Sequence, residues 1–171
     1  MRYKKKNNSS MIQVVDNFLP EDNFKRLQKA IMTPVTFPWY YVPIVADVGD
    51  LKEYYFIHFF YESIEHPPSQ HFPLISKLLF KLNCRALIRA KANLFLSTPK
   101  IYEHEIHTDY IDESKACVFS INTNNGYTRV GNEKIPSVAN RAVIFPSKLY
   151  HRATSCSDQQ IRVNININYY V

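Results

Sequence analysis

The chain has 171 residues, of which 46% are hydrophobic and 14% aromatic, and its formal net charge is +6. A chain of this length and composition is expected to form one globular domain that leans toward β structure. It contains no run of about 18 apolar residues, which excludes a membrane-spanning helix, and its basic start leads into no apolar signal core, so we expect no signal peptide.

The charge and the cysteines limit the partners and the compartment. The positive charge leaves nucleic acid open as a partner. Four of the 21 Lys and Arg residues, however, lie within the first six positions and the rest are scattered, which favours a solvated basic surface. Cys84, Cys117 and Cys156 are far apart and form no zinc pattern, so a reducing, cytoplasmic compartment is predicted.

The first half of the chain mixes predicted strands with two predicted helices. A disordered basic tail is expected at 1–10 and a single domain at 11–171. Hydrophobic periodicity and prolines predict strands at 11–18, 39–45, 53–61 and 85–96, and helices at 20–32 and 72–82. Phe24, Leu27 and Ile31 recur at helical spacing, so one face of the first helix is expected to pack on a core.

The second half carries shorter predicted strands, near 106–110, 115–122, 126–130, 141–145, 150–154 and 160–171. In a jelly roll the chain folds back on itself, so paired residues have a nearly constant sum of their numbers. Three pairings satisfy this condition: His107 with His151, Val118 with Val143, and Asn93 with Ile165. The fold-back point is then expected near 127–132, within a jelly-roll core at about 85–171.

The last predicted strand has two distinct faces. Arg162, Asn164, Asn166 and Asn168 alternate with isoleucine and valine. On a surface strand the polar face would only meet water. In a barrel it lines an interior pocket, and this interpretation explains why the two faces differ so sharply.

The pattern His107-Thr108-Asp109, then His151, then Arg162 carries the chemical prediction. His107 and Asp109 are two residues apart, so on a strand both side chains can reach one metal ion. Two histidines and one carboxylate hold Fe(II) and leave its opposite face open, with zinc as the alternative metal. The planar fork of Arg162 suits two-point binding of a carboxylate cosubstrate, which argues against a plain zinc hydrolase.

These residues resemble the Fe(II)- and 2-oxoglutarate-dependent oxygenases, most closely the prolyl-hydroxylase-like branch. The resemblance spans about 93–171, including the stretch RAVIFPSKLYHRAT, and extends to the opening segment VVDNFLPEDNFKRLQKAI. It implies a mainly β protein with flanking helices, folded as a double-stranded β-helix of the jelly-roll or cupin-like type.

The resemblance also implies a set of site residues. His107, Asp109 and His151 would be the catalytic metal ligands for Fe(II), and Arg162 would bind 2-oxoglutarate, with O₂ as the second cosubstrate. Asn93 and Tyr102 are further candidates for contact with 2-oxoglutarate. For Asn93 the alternative is a buried amide that satisfies backbone groups, and for His104 we expect a loop position rather than a fourth ligand. 

The activity implied is oxidation of a substrate with release of succinate and CO₂. The leading substrate is a protein or peptide side chain such as proline. Oxidation of a small metabolite or nucleobase is an alternative, and a non-catalytic, metal-binding cupin-like barrel is another. We expect no binding to a membrane, and the sequence does not indicate an oligomeric state.

Overall fold

The computed structural model describes residues 11–33, 35–43 and 54–171. The predicted tail at 1–10 and parts of the strands predicted at 39–45 and 53–61 lie outside the described residues. Two α-helices are present in the described part, α1 at Glu21–Met32 and α2 at Ser76–Lys81, with a 3₁₀ turn at Phe72–Ile75 immediately before α2. No helix among the described residues combines the length and the apolarity needed to cross a membrane.

Strands dominate the described part of the chain. Their bounds are β1 Gln13–Val15, β2 Tyr40–Val42, β3 Tyr55–Tyr61, β4 Ala86–Leu96, β5 Lys115–Ser120, β6 Tyr127–Val130, β7 Glu133–Pro136, β8 Ala142–Pro146, β9 His151–Arg152 and β10 Ile161–Tyr170. They form a seven-stranded sheet in the order β1-β8-β5-β10-β4-β3-β2 and a three-stranded sheet in the order β7-β6-β9. This two-sheet arrangement, with antiparallel pairing throughout, confirms the predicted jelly roll.

The nested pairing of the strands follows the predicted sums. Val118 of β5 lies opposite Val143 of β8, and His107 forms an isolated antiparallel bridge with His151. The chain turns back between β6 and β7 at Gly131, whose φ of 56° lies in the left-handed region that glycine tolerates. The fold-back point is therefore where the sequence predicted it.

The third predicted pairing is wrong by one residue. Asn93 of β4 lies opposite Asn164 of β10, and Ile165 lies opposite Ala92. A one-residue shift moves a side chain to the other face of the sheet. The observed register therefore places the two asparagine side chains together on the inner face.

The larger of two apolar clusters, the main core, lies between the helices and one face of the large sheet, and a smaller one, with Val118 and Val130, lies between the two sheets. α1 forms because Phe24, Leu27 and Ile31 recur at helical spacing, and all three are buried. They belong to the same apolar cluster as Ile165 and Ile167 on one face of β10. The polar face of β10 is thus turned away from the core, toward the smaller sheet.

Three local predictions need correction. No strand forms at 106–110, where His107 makes only its single bridge and Asp109 lies in a bend. The helix predicted at 72–82 begins as a 3₁₀ turn, with Pro73 near its start. Strand β7, EKIP, was not predicted because it is short, charged and ends in proline, and its pairing with β6 comes from the hairpin rather than from its own propensity.

Candidate metal centre

His107, Asp109 and His151 meet at one end of the space between the two sheets. Their candidate ligand atoms all lie within 4.8 Å of one another, and Nε2 of His151 is 3.6 Å from Oδ2 of Asp109. The two histidines exchange backbone hydrogen bonds, at 3.0 Å from the His107 amide and 2.9 Å from the His151 amide. This antiparallel bridge is what places both imidazoles on the same side of the backbone.

The two imidazoles are oriented by the backbone in the same way. Nδ1 of His107 lies 3.2 Å from the carbonyl oxygen of Glu105, and Nδ1 of His151 lies 2.9 Å from that of Leu149. A carbonyl oxygen can only accept, so each Nδ1 carries the proton and each Nε2 keeps a free lone pair for a metal. Burial, and then the charge of His151, lower the pKa of His107, which favours the neutral form that ligates.

The carboxylate of Asp109 is held at both oxygens. Nη2 of Arg89 donates to Oδ1 at 3.1 Å, and Nδ2 of Asn168 donates to Oδ2 at 2.8 Å. Burial alone would raise the pKa of Asp109, but the charge of His151, the hydrogen bond from Asn168 and the charge of Arg89 outweigh it, and the net shift is downward. The ionised form, which binds metal, is therefore the stable one.

Arg89 was not predicted to belong to the site. It lies on β4 opposite Asn168 of β10. A signal was present in the sequence, because Arg89, Lys91 and Asn93 alternate with apolar residues in a strand that is otherwise suited to a core. Only the observed fold shows that this polar face turns toward the candidate metal ligands.

Replacing Arg89 with methionine is expected to weaken metal binding. The side chain keeps much of its bulk, but the Asp109 carboxylate loses the donor that fixes one oxygen. Loss of such a supporting contact typically lowers metal affinity about 10- to 100-fold. Titration of Co(II) followed by visible absorption measures it, with Arg85→Met as the control, since Arg85 is exposed at the entry to the same strand. Equal affinities in the two variants would show that the ion pair does not orient Asp109.

A small cavity adjoins the two histidines and runs between the sheets. It is lined by Tyr55, Lys91, Asn93, His107, Val118, Thr128, His151, Arg152, Ala153, Asn164 and Asn166. The polar face of β10 therefore lines an interior pocket, as its alternation predicted.

The two secondary candidates have different positions relative to this cavity. Asn93 lines it and donates a hydrogen bond of 2.9 Å to Oδ1 of Asn164. Tyr102 does not line it: its side chain is 37% exposed, and its ring lies 5.4 Å from that of His104. The tyrosine that does line the cavity is Tyr55, at the start of β3, which the sequence did not single out.

Arg162 lies directly behind the cavity wall and is 1% exposed. It donates to Oγ of Ser137 at 2.9 Å, to the carbonyl oxygen of Thr154 at 3.2 Å and to Oγ1 of Thr128 at 3.0 Å. All three acceptors are neutral, and no carboxylate of the described residues pairs with it. Burial lowers its pKa to about 10, so the guanidinium remains charged without a counter-ion.

A buried charge without a partner is costly, and a ligand anion would remove that cost. Three of the five N–H groups of Arg162 have acceptors among the described residues, which leaves two for an incoming carboxylate. Thr128 connects the two regions, because its hydroxyl accepts from Arg162 while its side chain lines the cavity. The site therefore fits both a divalent metal at the triad and a carboxylate at the arginine.

No protein-family profile and no curated protein sequence matches the chain. Solved structures, in contrast, match the fold of this chain. An oxidoreductase of the 2OG-Fe(II) oxygenase family from Burkholderia pseudomallei gives a TM-score of 0.67 at 10% identity, with 99% of this chain and 93% of that chain covered. A prolyl hydroxylase from Trichoplax adhaerens, in complex with a hypoxia inducible factor peptide, gives 0.61 at 11% identity, with 95% and 84% covered.

A third solved structure broadens the comparison. The non-heme alpha-ketoglutarate-dependent epimerase SnoN from nogalamycin biosynthesis gives a TM-score of 0.63 at 12% identity, with 92% of this chain and 77% of that chain covered. The chain thus has the double-stranded β-helix fold of the 2OG-Fe(II) oxygenases, prolyl hydroxylases included. For the fold, this confirms the resemblance found in the sequence.

Proposed function

We propose that this protein is an Fe(II)- and 2-oxoglutarate-dependent oxygenase. One observation carries the proposal: a two-histidine, one-carboxylate cluster adjoins a cavity, and a buried arginine without a counter-ion lies behind the wall of that cavity, hydrogen-bonded to Thr128. The cluster alone would suit many metal-binding proteins. The arginine adds a demand for an anion, which a dicarboxylate cosubstrate meets and a plain hydrolytic zinc site does not.

Each residue has a defined part in this proposal. His107, Asp109 and His151 would hold Fe(II), and Arg162, with the hydroxyl of Thr128, would bind the far carboxylate of 2-oxoglutarate. When bound, the metal and 2-oxoglutarate supply the oxidising chemistry with O₂ and release succinate and CO₂. The chain supplies orientation and a cavity shielded from water.

Asn93 is proposed to contribute a hydrogen bond to 2-oxoglutarate, because its amide lies in the cavity wall beside Asn164. Tyr102 is not given this part, since its side chain lies outside the cavity. Tyr55 is proposed in its place, because it lines the cavity.

The proposed substrate is a protein or peptide side chain, proline among them. The support is that a prolyl hydroxylase bound to a peptide has this fold. Oxidation of a small molecule is the second candidate, because an epimerase from nogalamycin biosynthesis has the same fold. Both would use the same metal and cosubstrate residues.

Succinate formation tests the proposal. Purified protein that is given Fe(II), 2-oxoglutarate and air is expected to convert 2-oxoglutarate slowly to succinate. Adding a proline-containing peptide should make this conversion faster. Omitting Fe(II), excluding O₂ or using His107→Ala should each abolish the signal. Metal binding with no affinity for 2-oxoglutarate would contradict the proposal and favour the non-catalytic cupin-like barrel.

A further inference from the structure

Lys91 is a second cation in the same cavity. It lies on β4 between Arg89 and Asn93, with its side chain on the inner face and its backbone opposite Asn166 of β10. Its Nζ is 3.4 Å from the hydroxyl of Tyr55 and 5.6 Å from the centre of that ring. Both contacts are with a neutral group, so neither cancels the charge.

The nearby carboxylates are already paired with other cations. Asp109 accepts from Arg89 at 3.1 Å, and Glu103 pairs with Arg152, the other cation of the cavity wall, at 3.3 Å. Lys91 has no ion pair among the described residues. Burial, and then the charge of Arg89, lower its pKa to about 8 against the opposing effect of Asp109, which shows how poorly the free cavity accommodates its charge.

Loading the site would not correct this imbalance. Arg89 is paired with Asp109 and Arg152 with Glu103, whereas Lys91 and Arg162 have no ion pair among the described residues, so two positive charges are left without a partner. A divalent metal adds two positive charges and 2-oxoglutarate adds two negative charges, so their sum is zero. A further anion in the cavity would offset this excess.

The backbone positions of Lys91 and Arg162 are well separated. Lys91 lies opposite Asn166 and Arg162 lies opposite Phe95, so the two cations are four residues apart along β10. At about 3.3 Å per residue this is about 13 Å. Lys91 lies close enough to His107 and Asp109 for their charges to act on one another, which places it toward the metal end of the cavity.

We infer that Lys91 binds an acidic group of the primary substrate, a carboxylate or a phosphate, and holds the substrate beside the metal. The inference rests on the proposed function, because it takes the triad and Arg162 to be occupied by the metal and 2-oxoglutarate. The substrate oxidised by this protein is then an anion, or carries its anion close to the carbon that is oxidised.

Small anions provide the probe. Protein loaded with Co(II) and saturated with 2-oxoglutarate is titrated with acetate and, separately, with inorganic phosphate, and the visible absorption of Co(II) is followed. Lys91→Met, which removes the charge but keeps the length, should weaken the response about 10- to 100-fold, the usual worth of a charge-assisted hydrogen bond. Lys77→Met, on the exposed face of α2, is the matched control and should behave as wild type.

Comparing the absorption changes caused by acetate and by phosphate shows whether Lys91 prefers a carboxylate or a phosphate. Neutral acetamide is expected to cause no change. Lys91→Arg should recover part of the response, whereas a structural role of the lysine stem would be satisfied by methionine. An equal response in wild type and Lys91→Met, or none in wild type, would overturn the inference.

The cosubstrate is the other source of a carboxylate at this position, and a separate titration excludes it. The affinity of Lys91→Met for 2-oxoglutarate should equal that of the wild type; a marked loss would assign Lys91 to the cosubstrate and overturn the inference. If the wild type binds no 2-oxoglutarate at all, the proposed function fails. The anion titration of the Co(II) form, compared between wild type and Lys91→Met, still decides whether Lys91 is an anion site.

Discussion

Replacing His107, Asp109 or His151 with alanine is expected to abolish metal-dependent turnover and to remove measurable binding of Fe(II), Mn(II) and Co(II). Each residue supplies one of three ligands, and the remaining two cannot hold the ion alone. The domain should stay folded, because its larger apolar cluster lies on the opposite face of the large sheet.

Metal titrations of each variant measure the loss of metal binding, and thermal melts measure whether the fold is retained. His66→Ala is the control, since the His66 side chain is 61% exposed and lies away from the cluster. A wild-type protein without affinity for any of the three metals would refute the metal centre. Variants that bind metal normally would refute the assignment of the ligands.

Arg162→Lys is expected to weaken 2-oxoglutarate binding by about 1–3 kcal/mol, because lysine keeps the charge but loses the two-point geometry. Arg162→Ala should cost more, since the cosubstrate carboxylate would then be buried without a partner. Metal binding should survive both changes, because Arg162 is not a ligand. Some loss of stability is also expected, since Ser137 and Thr128 lose a donor.

Titration of 2-oxoglutarate into the metal-loaded wild type and both variants decides this prediction. Thermal melts separate lost binding from lost folding. The same affinity in all three proteins would mean that Arg162 serves only the internal hydrogen bonds. The cosubstrate assignment would then be withdrawn, even if the metal centre remained.

Much of the fold was predictable because polar and apolar residues alternate along its strands. β10 alternates over its whole length, and the nested order of a jelly roll then fixes partners such as Val118 and Val143. The exact partner of Asn93 was not predictable. A nearly constant sum of residue numbers is still satisfied when a strand is shifted by one residue, whereas the hydrogen bonds fix a single register. The missing strand at 106–110 has a similar cause: a strand needs a continuous partner, and His107 has one bridge.

The site was predictable where its chemistry is local in sequence. His107 and Asp109 are two residues apart, and this spacing, taken together with His151 and Arg162, predicted a shared ligand role. Arg89 and Lys91 were missed because their importance depends on which face of β4 turns inward, which is a property of the assembled sheet. Tyr102 was named because of the family resemblance, and Tyr55, which lines the cavity, was not considered because it lies far from the motif in sequence.

The two ends of the candidate site rest on backbone of very different strength. Arg162 lies on β10, which is paired on both sides by β4 and β5, whereas His107 and His151 are joined by one pair of backbone bonds. Central strands open only with the whole domain, while such short links open locally. A metal bound by both histidines would add a further link to the few backbone contacts between these segments. Loss of the metal is therefore expected to loosen the segments that carry the two histidines while β10 stays closed.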